Sequence, residues 1–160
     1  MLLGHEKVSF LHLPTPLEYL PALSRRLGVE FYIKRDDLTG LGMGGNKLRN
    51  LEYLLYDARQ QGATMLLTLG GAQTNHGRLT AAVAAKYGMR CAILCIDDYP
   101  GEVSANILLD RIMGAEVVLK KSDGRPESEQ QDELVAQMVK KYTAEGEKVY
   151  VIPVGGSNRI

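Results

Sequence analysis

Met65-Leu-Leu-Thr-Leu69 is a short apolar run that stops at Gly70-Gly71, and Leu79, Ala82, Val83 and Tyr87 then recur at helical spacing. Such a run fits a strand buried on both faces, which is the habit of parallel sheets. The order strand, turn, helix then repeats. Arg90 to Ile96 reads as a strand, Ala105, Leu108, Leu109 and Ile112 as one helix face stopped by Gly114, and Glu116 to Leu119 as another strand. Val135, Met138, Val139 and Tyr142 mark a further helix face, and Lys148 to Pro153 a last strand. Alternation at this spacing requires crossovers that return each strand parallel to the one before, with helices covering both sheet faces. The expected fold is therefore α/β: a three-layer αβα unit over residues 49–154 around a four-stranded, mostly parallel sheet.

Residues 1–48 do not continue the pattern. Leu13-Pro-Thr-Pro-Leu17 reads as extended, and Leu17, Leu20, Leu23 and Leu27 predict a short helix closed by Gly28. Glu30 to Lys34 has strand composition, and Arg35 to Gly45 is a long, charged, glycine-rich loop of the kind that is usually functional or disordered. With no sheet of their own in view, these residues are expected to be the N-terminal segment of a second, incomplete domain. Residues 155–160 follow the last strand where an α/β chain normally turns into another helix, and read as the start of a return to that domain.

Nineteen basic and nineteen acidic residues balance to a formal net charge of zero. That leaves no electrostatic footprint for nucleic acid or an anionic membrane and favours small molecules or proteins as partners. No apolar run has the length of a membrane span, and Met-Leu-Leu-Gly-His-Glu lacks the basic and apolar regions of a signal peptide, so a cytoplasmic protein is expected. Cys91 and Cys95 lie four apart in one strand, roughly 13 Å between Cα atoms at 3.3 Å per residue, too far for a disulfide. Both share one face and are expected to pack as small apolar side chains; no metal site is expected.

Gln73, Thr74, Asn75 and His76 sit where a helix opens after a glycine pair. Backbone N–H groups there have no intrahelical partner and the macrodipole is positive, so a small carboxylate or phosphate can be held by backbone alone. The plain alternative is that Thr74 or Asn75 only caps the helix. Lys47 opens the preceding helix, with Leu48, Leu51, Leu54, Leu55 and Ala58 as its apolar stripe. A lysine in the first turn is badly placed against the macrodipole, which points to a role beyond stability, although a solvated surface lysine fits the same position.

Taken together, Lys34-Arg-Asp-Asp-Leu-Thr39, Gly44-Gly-Asn-Lys-Leu-Arg49, Leu51-Glu-Tyr53, Gly70-Gly-Ala-Gln-Thr-Asn-His76 and Ile152-Pro-Val-Gly-Gly-Ser-Asn158 resemble the D-cysteine desulfhydrase and 1-aminocyclopropane-1-carboxylate deaminase family. These are pyridoxal 5'-phosphate enzymes with the tryptophan-synthase-β type of fold, and the match runs in order along nearly the whole chain. The resemblance implies that Lys47 bonds covalently to the cofactor and is the catalytic base. It implies that Asn75 faces the cofactor's 3-hydroxyl, that Thr74 assists catalysis, and that Gln73, Thr74 and His76 line the carboxylate and Cα side of a small amino-acid substrate. Within the family, D-cysteine is favoured as substrate, with loss of thiolate from Cβ leading to pyruvate, ammonia and hydrogen sulfide, and a homodimer is implied.

Family members continue into a larger domain that carries the cup for the cofactor phosphate, the partner of the pyridine nitrogen and the tyrosines implicated in substrate choice. Two other readings compete: a catalytically dead remnant or binding module, and an unrelated doubly wound domain that binds a nucleotide phosphate at residues 70–76, although the G-x-G-x-x-G spacing is lacking there. Residues 1–160 alone are expected to show no stable cofactor-dependent activity. Losing a phosphate cup removes several charge-assisted hydrogen bonds of roughly 1.5 to 3 kcal/mol each, about 5 kcal/mol or more of cofactor affinity. Saturable, borohydride-trappable labelling of Lys47 at micromolar pyridoxal phosphate, together with sulfide release from D-cysteine by this chain, would overturn that expectation.

Overall fold

A computed structural model of the chain describes residues 4–97, 103 and 105–156. The final residues of the Gly-Gly-Ser-Asn motif, Ser157 and Asn158, and the terminal Arg159-Ile160 lie outside them.

From residue 47 onward the expected alternation is present: α2 (Lys47–Gln60), β3 (Met65–Leu69), α3 (Asn75–Lys86), β4 (Arg90–Ile96), α4 (Ala105–Ile112), β5 (Glu116–Lys120), α5 (Glu127–Ala144) and β6 (Val149–Ile152). The four strands lie in the order β5-β4-β3-β6, and every pairing is parallel. The sheet is thus wholly parallel. All five residues of β3 are buried, as its unbroken apolar run requires.

Alternation along the strands divides the core. Leu66, Cys91, Ile93, Cys95, Tyr150 and Ile152 face the leucine stripe of α2 and the Leu79, Ala81, Val83 and Ala84 side of α3. Met65, Leu67, Leu69, Ala92 and Leu94 face Leu134, Met138 and Tyr142 of α5. Both cysteines are free and buried, and burial pushes each thiol up to about 12, so they pack as small apolar groups. The face expected for α4 is rotated. Leu108 and Ile112 are exposed, whereas Ile107 and Asp110 are buried, because the helix lies against α3 and turns a carboxylate toward a buried arginine there.

The N-terminal residues depart further from expectation. Leu17 does not begin a helix: Leu17–Tyr19 is β1, antiparallel to β2 (Tyr32–Lys34), so these residues do make a small sheet. The helix between them, α1, starts at Pro21 and ends at Leu27 before Gly28. Proline has no N–H and is tolerated in a first turn, so Pro21 marks a start and leaves Leu17 and Leu20 outside the stripe. Leu17, Tyr19, Phe31, Tyr32 and Ile33 are all exposed on this ribbon.

The long loop from Arg35 to Gly45 is built from short 3-10 turns rather than left irregular. Asp36 anchors it, accepting from Arg49 at 2.7 and 2.6 Å and from Thr15 at 3.1 Å, and Arg49 holds its carboxyl below the usual range. The buried Thr39 hydroxyl accepts from the Gly45 N–H at 2.9 Å. Gly44 turns back at φ 73°, where a Cβ would stand 1.8 Å from the Asp37 carbonyl oxygen, so no side chain fits. The loop therefore delivers Asn46 and Lys47 to the head of α2 along a fixed path.

Glu52 ties the chain start to this helix. Its carboxylate, almost fully buried, accepts from the N–H groups of Phe10 and Leu11 at 2.9 and 3.1 Å and pairs with Lys7. Removing one partner of such a cluster leaves the others buried and unpaired. Glu52→Ala is expected to lower unfolding free energy by about 3 kcal/mol and Glu52→Gln by about half of that, with faster hydrogen exchange at Phe10 and Leu11. A chemical-denaturation series that leaves Glu52→Ala within experimental error of wild type would contradict this anchoring role.

Candidate active site

In a parallel sheet wound in both directions, a crevice opens outside the carboxyl ends of the strands where the winding reverses. Here β3 is that strand. The chain leaves it through α3 toward β4 on one side, and β6 joins it on the other after α5 has covered the opposite face. A cavity of about 520 Å³ lies at this point, lined by Lys47, residues 70–76, Asp97, Val154 and Gly155. That volume falls within the range of small-molecule sites.

The turn after β3 is shaped by small residues around Thr74. Thr74 is the N-cap of α3, in extended conformation, and its hydroxyl accepts from the Gly77 N–H at 3.3 Å. Thr74 therefore does cap the helix, and in doing so it holds the turn at the cavity wall. A Cβ at Gly70 would lie 2.7 Å from the Thr74 side chain, and one at Gly77 would lie 2.5 Å from it, so both glycines are required by the way Thr74 tucks in. Since α3 begins at Asn75, the N–H groups of Asn75 and His76 have no intrahelical carbonyl to bond.

Lys47 is the first residue of α2, and its Nζ donates to the Gly155 carbonyl at 3.1 Å in the turn that follows β6. Two helix starts and one strand end thus meet across the crevice. Next to the lysine, His76 is 3% exposed, and neither ring nitrogen has a hydrogen-bond partner among the described residues. Burial, with the nearby Lys47 charge, pushes the His76 pKa down to about 4, so the ring is neutral at neutral pH. Gly156 lies close against this imidazole, where a Cβ would come within 3.0 Å of Cε1.

Every residue singled out from the sequence lines this one cavity: Lys47, Gln73, Thr74, Asn75 and His76. Three contributors went unrecognised. Asp97, just past β4, accepts from the Ala72 N–H at 3.0 Å and pins the turn from the neighbouring strand. Its position beyond the carboxyl end of an adjacent strand was the available signal. Asn106, in the first turn of α4, bonds to both Gln73 and Asn75, and nothing local in the sequence points to it. The Gly155 carbonyl that holds Lys47 is backbone, invisible to any reading of side chains.

Beneath the site a buried arginine links its two halves. Arg78 of α3 donates to the Gly44 carbonyl at 3.2 Å, in the loop that leads to Lys47. Burial lowers its pKa, and the attraction of Asp110 opposes that shift. Asp110, nearly inaccessible, is pushed up to about 6 by burial, with Arg78 acting against the rise. Arg78 Nη1 and Asp110 Oδ1 both lack a partner among the described residues. The pair acts at a distance as a mutual charge balance.

The residues present suit an aldehyde cofactor with a small carboxylate substrate: a lysine amine at the wall, open helix-start amides, and a buried unpartnered imidazole. Among the described residues no cluster of His, Cys, Asp and Glu could hold a metal ion, and no helix is long and apolar enough to cross a membrane.

Comparison with known proteins agrees with this chemistry. The family described as "Pyridoxal-phosphate dependent enzyme" matches residues 8–160. A Thermotoga maritima protein provisionally named 1-aminocyclopropane-1-carboxylate deaminase is 45% identical over 92% of this chain and 46% of its own length. A D-cysteine desulfhydrase of Klebsiella pneumoniae is 48% identical over 92% of this chain and 45% of its own. A crystal structure described as an ACC deaminase homologue superposes with a TM-score of 0.86 at 40% identity, covering 98% of this chain and 47% of that one. The chain spans about half the length of the relatives it matches. With its sheet, its lysine-bearing crevice and nearly its whole length matched in this way, the chain belongs to the family of pyridoxal-phosphate dependent enzymes.

Proposed function

We propose that this chain forms the lysine-bearing wall and the substrate-carboxylate turn of a pyridoxal-phosphate dependent lyase that eliminates sulfide from D-cysteine. The observation that carries the proposal is the convergence of Lys47 and the 73–76 turn on one cavity at the reversal of the sheet. Pyridoxal phosphate, when bound, supplies an electron sink for negative charge at a substrate Cα. The chain's own residues bind, orient and move protons. Lys47 is the residue that joins the cofactor covalently and, when released, takes the Cα proton; the Gly155 carbonyl holds its amine at the cavity edge.

Gln73, Thr74 and the open N–H groups of Asn75 and His76 hold the substrate carboxylate, which fixes the Cα–H bond toward Lys47 as a positioning effect. Asn75, which lines the same cavity, would hold the oxygen of the cofactor ring. The neutral His76 ring, able both to donate and to accept, lines the Cα side without adding a second positive charge beside the lysine. D-Cysteine is chosen over the cyclopropane amino acid on the overall similarity of the chain to the desulfhydrases, 48% identity in the case of the Klebsiella pneumoniae enzyme. A homodimer, and the division into residues 1–48 and 155–160 for a larger domain and 49–154 for a smaller one, belong to the same proposal.

Assay of the full-length protein with both substrates side by side tests the choice. Sulfide release from D-cysteine is expected to exceed ring opening of 1-aminocyclopropane-1-carboxylate, and comparable turnover or ring opening alone would count against the proposal. Lys47→Ala is expected to abolish covalent capture of the cofactor and to cut turnover by roughly a thousandfold or more.

His76 yields a separate prediction in pH. Its folded pKa near 4 lies below the unfolded 6.5, so the unfolded chain takes up the proton first and stability falls as pH drops through that window. Asp110 has the opposite sign, since its raised pKa favours the folded state as pH falls below about 6. The two partly offset one another, so the His76 effect is read as a difference between wild type and His76→Gln. Between pH 7.5 and pH 4.5 wild type is expected to lose roughly 2 to 3 kcal/mol relative to His76→Gln, and parallel stability profiles would refute it.

A further inference from the structure

We propose that Asn106 is a positioning residue that fixes the polarity of the Asn75 amide, so that Asn75 presents N–H and not C=O to the cavity. This inference rests on the reading of the cavity as a cofactor site only for what the Asn75 amide meets there; the bonding that sets its orientation does not depend on it.

Three hydrogen bonds make the case. The Asn106 backbone N–H donates to Gln73 Oε1 at 2.9 Å, the Asn106 side-chain Nδ2 donates to the Gln73 carbonyl oxygen at 2.9 Å, and the same Nδ2 donates to Asn75 Oδ1 at 3.2 Å. An asparagine amide can in general be turned either way, and only its network decides which end is nitrogen. Here the network has a fixed reference. A backbone carbonyl can only accept, so the Asn106 atom facing the Gln73 carbonyl is the nitrogen. That NH₂ group, with two hydrogens, then requires an acceptor on its second side, which is Asn75 Oδ1. The Asn75 oxygen is thereby committed, and its NH₂ is the end it offers elsewhere.

Asn75 lines the cavity, so the group that meets it there must accept a hydrogen bond. An anionic oxygen, such as the phenolate of the pyridoxal ring, is the natural partner, because a hydrogen bond to a charged acceptor is about twice as strong as a neutral one. The device also explains why Asn106 sits at the head of α4. One and four residues on, Ile107 and Asp110 are buried, which fixes the helix and with it the reach of Asn106.

The test has a cofactor-independent arm. In isotopically labelled chain, through-hydrogen-bond couplings are expected from the Asn106 side-chain NH₂ to the Gln73 backbone carbonyl carbon and to the Asn75 side-chain carbonyl carbon. Absence of the coupling to Asn75, or Asn75 donating to Asn106 instead, overturns the proposal, and this measurement needs no variant. The second arm measures pyridoxal phosphate affinity and the visible absorption of bound cofactor in the full-length protein. Asn106→Asp introduces an acidic residue at a helix start, where it is tolerated, but replaces the donor with an acceptor and so turns the Asn75 oxygen into the cavity. It is expected to weaken cofactor binding at least tenfold and to shift the visible band toward the form protonated on the ring oxygen. Asn106→Ala, which merely frees Asn75, is expected to do less. An Asn106→Asp effect no greater than that of Asn106→Ala, with an unshifted band, overturns the proposal. Wild-type protein that takes up no pyridoxal phosphate would sink the reading of the cavity while the couplings still decide the role of Asn106.

Discussion

Burial of β3 on both faces is the constraint on which the rest of the molecule depends. Its five residues are inaccessible because α2 and α3 cover one side and α5 the other, and paired strands flank both edges. A strand held in that way has no freedom at its carboxyl end, so Gly70 and Gly71 emerge at one fixed point. The crevice exists because the two crossovers next to β3 pass on opposite faces, which no local sequence preference could arrange. Burial of roughly 1.5 to 3 kcal/mol per large apolar side chain holds that end in place, and the weaker polar contacts of the site are built on it.

Those polar contacts come from three directions. Asp97 holds the turn from β4, Asn106 holds it from α4, and Thr74 holds it from within by capping α3. Arg78 then joins α3 to the Gly44 carbonyl, so the turn and the loop that carries Lys47 share one buried link. A guanidinium and a carboxylate left partly unpaired beneath the site cost stability, as the directions of the Arg78 and Asp110 shifts indicate. The arrangement gains a fixed separation between lysine and turn, the quantity a positioning site most needs. His76 is a further cost: a neutral, buried ring beside Lys47, with no hydrogen-bond partner among the described residues, is unfavourable for folding.

The N-terminal ribbon stands in contrast to this core. Glu52 anchors residues 7–11 to α2, and Asp36 anchors the 35–45 loop, yet β1 and β2 leave Leu17, Tyr19, Phe31, Tyr32 and Ile33 exposed on a two-stranded sheet. An isolated two-stranded ribbon is marginal in water. In this chain it is supported by Arg35, which pairs with Glu18 at 2.7 Å, and by the Ser24 hydroxyl of α1, which accepts from the Phe31 N–H at 2.9 Å.

The α/β alternation, the parallel sheet and part of the cavity lining, Lys47 and residues 73–76, were legible in the sequence because each rests on a local rule. Apolar runs of five to seven residues bounded by glycine read as buried strands, helical spacing placed α2, α3 and α5, and the glycine-flanked polar segments marked both helix starts. Where local rules competed, the reading failed: Leu17 fitted a helical stripe, but Pro21 fixed the start and pairing with Lys34 made it extended. The face of α4 was missed because Asp110 is buried against a charge on another helix, and a hydrophobic pattern cannot anticipate that. The sequence by itself determined which polar side chains stand at the two helix starts, since residue type and helix-start position are properties of short segments. Only the tertiary structure decided that they share one cavity, that Asn106 bonds to Asn75, and that a backbone carbonyl 108 positions away accepts from Lys47, because each of these contacts joins segments far apart in the chain.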